Sequence, residues 1–309
     1  MKIVRKVLIG VLGFALLVVL LFFFNVMWKS PPNFKVNEYK PLEIPIMDMT
    51  AYRDIMQTHR RPYIYAITSK SGGSVHVLGV EHLNNSNHPQ FDSINSIWKK
   101  VRPDVALVEG RLGFLFTWFQ DPVTKYGEGG LTSYLAKQDR AKLYTWEPTR
   151  NDEIALLMKD YSVDKIAMFY SLRPYFSKSR SGKVVDPEGE LQKLIENRTD
   201  YNNIRGVFKS WKDLDEMWKK DFPSIDWRNY KDEKGWWPEG YLEDLWNASN
   251  LARDEHLIQT ILQLVGEGKK VFVTMGASHA PRIEESLKNA LFKNICKTGS
   301  SRKKTIQEK

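Results

Sequence analysis

S-V-H-V-L-G-V-E-H at 74–82 and K-V-F-V-T-M-G-A-S-H at 270–279 are two apolar runs, and each closes in Gly-x-x-His. Short runs rich in Val and Phe with a glycine at the exit read as strands. A glycine three residues before a histidine lets the chain turn sharply or pass close to a ligand. Nothing else in the chain repeats at a fixed period, so these two passages are its only self-similarity.

Working outward from 74–82, P-Y-I-Y-A-I-T (62–68) and S-K-S-G-G (69–73) predict a preceding strand and a Gly-Gly turn, hence a hairpin. On the other side, Phe91, Ile94, Ile97, Trp98 and Val101 have helical spacing, and V-A-L-V-E-G (105–110) is a further short strand. The span 74–109 is thus a βαβ unit, whose two strands are expected to be parallel neighbours. Residues 111–130 read as an aromatic, glycine-punctuated insert. Leu131 opens a helical stretch, and K-L-Y-T-W-E-P (142–148) is a strand with Glu147 at its end. Asn151 is the expected cap of the next helix, followed by another over about 162–170. In the middle, P-E-G-E-L-Q-K-L-I-E-N is helical, and Val207, Trp211, Leu214 and Trp218 share a helix face. A polar and aromatic loop, D-W-R-N-Y-K-D-E-K-G-W-W-P (226–238), precedes a long late helix. That helix carries Leu257, Ile258, Ile261, Leu264 and Val265 as its apolar stripe. Pro281 suits the first turn of a final helix.

The N-terminal stretch 7–24 has no charged or hydroxyl residue, and Lys2, Arg5 and Lys6 precede it. It reads as an uncleaved transmembrane anchor with a cytoplasmic N-terminus and an extracytoplasmic domain, since no small-x-small cleavage site follows. Residues 1–29 form the tip and anchor, and the proline-punctuated stretch 30–50 is a stalk or wrapping arm. Residues 51–292 form the α/β domain, with 111–240 as a helical and aromatic insertion region, and 293–309 are a basic tail. The formal charge of +9 sits at the two ends, in Lys2, Arg5 and Lys6 and in the run of lysines and arginine from Lys288 onward. A near-neutral body argues against a nucleic-acid partner. The single cysteine, Cys296, rules out an intrachain disulfide and a thiolate metal cluster.

Three strand ends offer polar groups: Glu81 with His82, Glu109, and His279. In an open α/β sheet, side chains just past the carboxyl ends of parallel strands face the ligand crevice. Two imidazoles and a carboxylate are divalent-metal chemistry. The same groups without a metal allow histidine as general base with a glutamate orienting it. His76 lies inside its strand and reads as structural, His88 is a loop histidine with a possible place in the site, and His256 reads as a helix-surface residue. No G-x-S-x-G elbow, G-K-[ST] phosphate loop or H-E-x-x-H motif occurs.

The ordered set G-V-E-H, P-D-V-A-L-V-E-G, R-D-E-H-L and V-T-M-G-A-S-H-A-P-R-I-E-E-S-L resembles the TraB/PrgY and TIKI-like superfamily, whose relatives include erythromycin-esterase-like and ChaN-like haem-uptake proteins. The matching positions are Gly79 and His82, Glu109, Arg253 with Asp254, and Gly276 and His279. The resemblance implies an α/β fold with a mostly parallel or mixed central sheet flanked by helices, built of two similar halves. It also implies a membrane-tethered, metal-dependent hydrolase acting on a peptide or a small-molecule ester. On that reading His82, Glu109 and His279 hold a divalent ion such as Mn, Co or Zn. Glu81 is a base or a support, and Arg253 stabilises an oxyanion, clamps a carboxylate, or pairs with Asp254 or Glu109. The alternative is a non-catalytic membrane protein that binds haem or a peptide through the aromatic stretch 114–126 and through Trp236 and Trp237. In either case the N-terminal helix brings membrane lipid as a partner.

Overall fold

The strand β7, named here by its place in chain order and spanning Lys270–Gly276, is buried at every position after its first lysine. Such continuous burial belongs to a strand covered on both faces in the interior of a parallel sheet. The chain's computed structural model describes residues 2–304 apart from 71, 183 and 231–236. It separates into two units, Met1–Glu147 with Asp254–Lys309, and Pro148–Arg253.

The first unit begins with α1 (Lys2–Phe23), the one helix among the described residues long and apolar enough to cross a membrane. There follow β1 (Met27–Trp28), α2 (Met49–Ile55), β2 (Tyr63–Thr68), β3 (Ser74–Val80), α3 (Pro89–Val101), β4 (Val105–Val108), β5 (Leu115–Phe116), α4 (Pro122–Gln138) and β6 (Lys142–Thr145). The second unit holds α5 (Arg150–Leu157), α6 (Val163–Ser181), α7 (Pro187–Arg198), α8 (Trp211–Asp221) and residues 241–253 of α9 (Tyr241–Gly266). The chain re-enters the first unit within α9 and ends in β7 and α10 (His279–Lys304). The basic tail therefore continues α10 as far as Lys304, and 305–309 lie outside the described residues.

The main sheet has the order β2-β3-β7-β4-β6. The hairpin read from the sequence is present, with β2 antiparallel to β3. The remaining strands run parallel, which makes an α/β fold with a mixed sheet flanked by helices. The βαβ unit differs from expectation in one respect. Strands β3 and β4 are not neighbours, because β7 lies between them and pairs with both. Both β7 beyond its first lysine and β4 are continuously buried, as strands inside a parallel sheet are. The two faces of β7 are covered by separate clusters. Leu257, Ile261, Ile283 and Leu287 pack with Val271 and Val273 on one, and Trp98, Ile94 and Leu131 pack with Phe272 on the other.

Residues 30–50 form a wrapping arm. Phe34 N–H donates to Thr145 O at 3.0 Å, Lys40 N–H donates to Gln259 Oε1 at 2.9 Å, and Met47 N–H donates to Arg282 O at 3.1 Å. In the second unit Thr149, not Asn151, caps α5, its hydroxyl accepting from Asp152 N–H at 3.2 Å. Helix α6 runs past Tyr170 to Ser181, and α8 starts at Trp211, so Val207 precedes it. The core of that unit is aromatic, with Phe169, Tyr175, Phe176, Trp218, Trp227 and Trp237 buried together. Trp237 is thus core, and Trp236 lies outside the described residues.

Gly79 shows how tightly α10 seats on the sheet. A Cβ there would lie 2.6 Å from Ala280 Cβ, and neither atom sits on a flexible side chain. Gly79→Ala should therefore destabilise the chain by about 1–3 kcal/mol, the usual cost of overpacking. A lowered urea midpoint with an unchanged m-value would show it.

Candidate active site

All four parallel strands leave the sheet at the same edge, and residues just past their ends are the candidate site. Val80 pairs with Gly276 across β3 and β7, so His82 and His279 emerge almost level from adjacent strands. Glu109 follows β4 on the other side of β7, and Trp146 follows β6.

His82 is set by its neighbours on both sides. Gln90 of α3 clamps the preceding residue, donating to Glu81 O at 2.8 Å and accepting from Glu81 N–H at 3.2 Å. His82 Nδ1 bonds Glu128 Oε1 at 2.7 Å. Glu128 reaches it through a kink in α4, where Gly127 has φ +53° and any Cβ would sit 2.7 Å from Leu83 O. Only glycine lets the helix press this close to the chain beside His82. A carboxylate can only accept, so Nδ1 carries the proton and Nε2 is left with the lone pair in the neutral ring. The His82 side chain is 62% exposed and open to water.

His279 is the buried counterpart. Its Nδ1 bonds Asp254 Oδ1 at 2.5 Å, and Asp254 Oδ2 pairs with Arg282 Nη1 at 2.9 Å, all three being buried. Arg282 in turn donates from Nε to Met47 O at 2.8 Å, so the arm helps to fix it. Burial disfavours the imidazolium, yet the carboxylates of Asp254 and Glu109 outweigh burial and raise the His279 pKa. The Trp146 ring meets His279 edge-on at 5.3 Å, and Trp146 O accepts from His256 Nδ1 at 2.7 Å. His256 is therefore a buried structural histidine rather than a surface one.

Glu109 joins the two halves of the cluster. Its Oε2 accepts from Gly276 N–H at 2.7 Å and lies 3.9 Å from His82 Nε2, while Oε1 lies 3.6 Å from His279 Nε2. A Cβ on Gly276 would stand 2.8 Å from His82 Nε2 and 3.4 Å from Glu109 Oε2. The second glycine thus keeps open the space in which these groups meet.

The other residues singled out from the sequence have partners of their own. Glu81 turns its carboxylate to Arg61 at 3.4 Å. His88 caps α3, its Nδ1 accepting from Gln90 N–H at 3.4 Å. Arg253 is buried in the second unit and donates to Asn250 Oδ1 at 3.3 Å. Asp254 pairs with Arg282 as well as with His279. Sequence reasoning passed over both Glu128 and Arg282. The one available signal was composition: a glutamate among glycines in Y-G-E-G-G, and an arginine three residues past the second histidine.

No family model, curated protein or solved structure matches this chain. The resemblance therefore stands on the motif residues themselves. Two Nε2 atoms and a carboxylate are donors that suit a divalent ion, and carboxylates on both Nδ1 atoms are the usual support of such ligands. Among the described residues, however, no group of three or more His, Cys, Asp or Glu is disposed to hold one. The chemistry that the arrangement itself supports is proton transfer, with an exposed oriented imidazole and a buried one held toward its charged form.

A histidine with a raised folded-state pKa adds stability that is complete below its unfolded pKa and is lost as pH rises through the folded value. His279 should follow this course, stabilising at acid and neutral pH and ceasing to do so on the alkaline side of the ordinary histidine range. In metal-free protein, ring-carbon NMR titration should find His279 protonated above that range, and Asp254→Asn should bring it down. An unmoved titration would remove Asp254 as the cause.

Proposed function

We propose that this chain is a membrane-anchored hydrolase of carbonyl bonds, peptide or ester, with His82, Glu109 and His279 at its reacting centre. One observation carries the reading: two histidines, each held at Nδ1 by a buried carboxylate, turn both Nε2 atoms to the same third carboxylate. In this reading His82, neutral and open to water, takes the proton from the attacking water, and Glu128 stabilises the imidazolium that forms. His279, kept charged by Asp254 and Glu109, stabilises the developing oxyanion and returns a proton to the leaving group. Glu109 orients the His279 ring, and Glu128 that of His82.

The two Gly-x-x-His passages on adjacent strands also support descent from two similar halves. The three basic residues before the apolar stretch of α1 support a cytoplasmic N-terminus and an extracytoplasmic domain. A divalent ion, were one bound, would be held by His82, Glu109 and His279 and would supply a water of lowered pKa.

Hydrolysis of fluorogenic ester and peptide panels by the full chain in detergent tests the reading. His82→Ala and Glu109→Gln should each lower kcat/KM by about 10²–10⁴-fold, the range of lost acid–base catalysis. Glu81→Gln should leave it unchanged, because that carboxylate faces Arg61. Activity should persist after dialysis against EDTA. Loss on chelation with recovery in Mn, Co or Zn would put an ion among the three side chains instead. Full activity in folded His82→Ala would remove His82 as the base, and no hydrolysis of any member of the panels would end the hydrolase assignment.

A further inference from the structure

The strongest unexplained surface is a set of bare aromatic rings close to the end of α1. Phe114, Trp118 and Phe119 are 47%, 66% and 81% exposed. They are not loosely tethered. Phe116 stacks on Phe119 at 5.1 Å and meets Trp118 edge-on at 5.6 Å, so the rings are held against one another and outside the core. Leaving that much apolar area in water is unfavourable at about 25 cal/mol per Å².

Their position relative to α1 is fixed by backbone bonds. The helix ends with Asn25 at φ +54°, Asn25 N–H donating to Phe22 O at 3.1 Å and Val26 N–H to Leu21 O at 2.9 Å. That is the double bond of a Schellman cap, and it sets the exit direction of the chain. β1 follows at once and pairs antiparallel with β5, Met27 opposite Phe116 and Trp28 opposite Leu115. Thr117 N–H then donates to Val26 O at 2.8 Å, and its hydroxyl donates to the same oxygen at 3.1 Å. The aromatic segment is therefore bonded to the residues that immediately follow α1.

Helix α1 has 22 residues. At about 1.5 Å per residue it is about 33 Å long, close to the roughly 30 Å of a hydrocarbon core. Its end, and whatever is bonded to it, then falls at the level of the headgroups. Trp and other aromatic rings are favoured at that depth. Lys29 and Lys125 are exposed on the same segments, and Lys125 Nζ donates to Phe114 O at 2.7 Å, placing cations where lipid phosphates lie.

We propose that Phe114, Trp118 and Phe119 form a second membrane contact, a wedge in the headgroup region of the leaflet from which α1 emerges. The proposal rests on reading α1 as a spanning helix, and the occupant it commits to is the bilayer. With two points of attachment the first unit would have a fixed orientation on the membrane instead of swinging from its anchor.

The test uses the full chain in a Cys296→Ser background, reconstituted in vesicles of phosphatidylcholine and phosphatidylglycerol. An environment-sensitive fluorophore is attached at Phe119→Cys, at Leu17→Cys within α1, or at Lys99→Cys on the exposed side of α3. The label at 119 should be blue-shifted, protected from aqueous quencher and quenched most by lipids carrying a shallow nitroxide. The label at 17 should respond to deep nitroxides, and the label at 99 should behave as in water. A water-like label at 119 beside an embedded one at 17 would overturn the wedge while leaving the anchor. A water-like label at 17 would refute the spanning helix, and the wedge with it.

Discussion

The Glu109 carboxylate is the point on which the site turns. It accepts the Gly276 N–H at 2.7 Å, which fixes one oxygen against the end of β7. From there its two oxygens face one imidazole each, at 3.9 and 3.6 Å. This requires three strands to end side by side, in the order β3, β7, β4. It also requires a glycine at 276, since any Cβ would occupy the space of the His82 ring. The central placement of β7 is thus a condition of the site, since it sets the Gly276 N–H beside the end of β4.

Charge then divides the labour between the two rings. Glu128 and Asp254 sit on the two Nδ1 atoms, Glu109 faces both rings, and Arg282 pairs with Asp254. His279 is buried and faces two of the carboxylates, and its pKa rises in spite of desolvation. His82 has the same chemistry at Nδ1 but a largely exposed ring. Two similar tetrads on adjacent strands thus end in a buried imidazole held toward its charged form and an exposed one.

What was legible in the sequence follows from range. The hairpin, the strands at 105 and 142, the late helix and the two histidine exits depend on local periodicity, and the structure has them. Strand order depends on competition among distant segments, and there β7 takes the place between β3 and β4 that local pattern does not reveal. The same divide runs through the site. His82, Glu109 and His279 were readable because each ends an apolar run. Glu128 was not, because its role comes from a kink at Gly127 that brings a helix against Leu83. Arg282 was passed over because its partner is set by α9 and α10 crossing at Asp254.

The arm between α1 and the sheet belongs to the site's support, and proline content alone did not reveal this. Met47 accepts from Arg282 Nε and donates its N–H to Arg282 O, so both the side chain and the backbone of that residue are engaged. Ser286, one turn on, donates to Ile44 O at 2.8 Å. Lys40 exchanges two bonds with Gln259, which lies on α9 not far from Asp254. The two helices that carry Asp254 and Arg282 are therefore strapped by one extended segment that leads back to α1. An ion pair buried this deeply gains little unless its geometry is held. The arm supplies that constraint, and through Asp254 it bears on the protonation of His279.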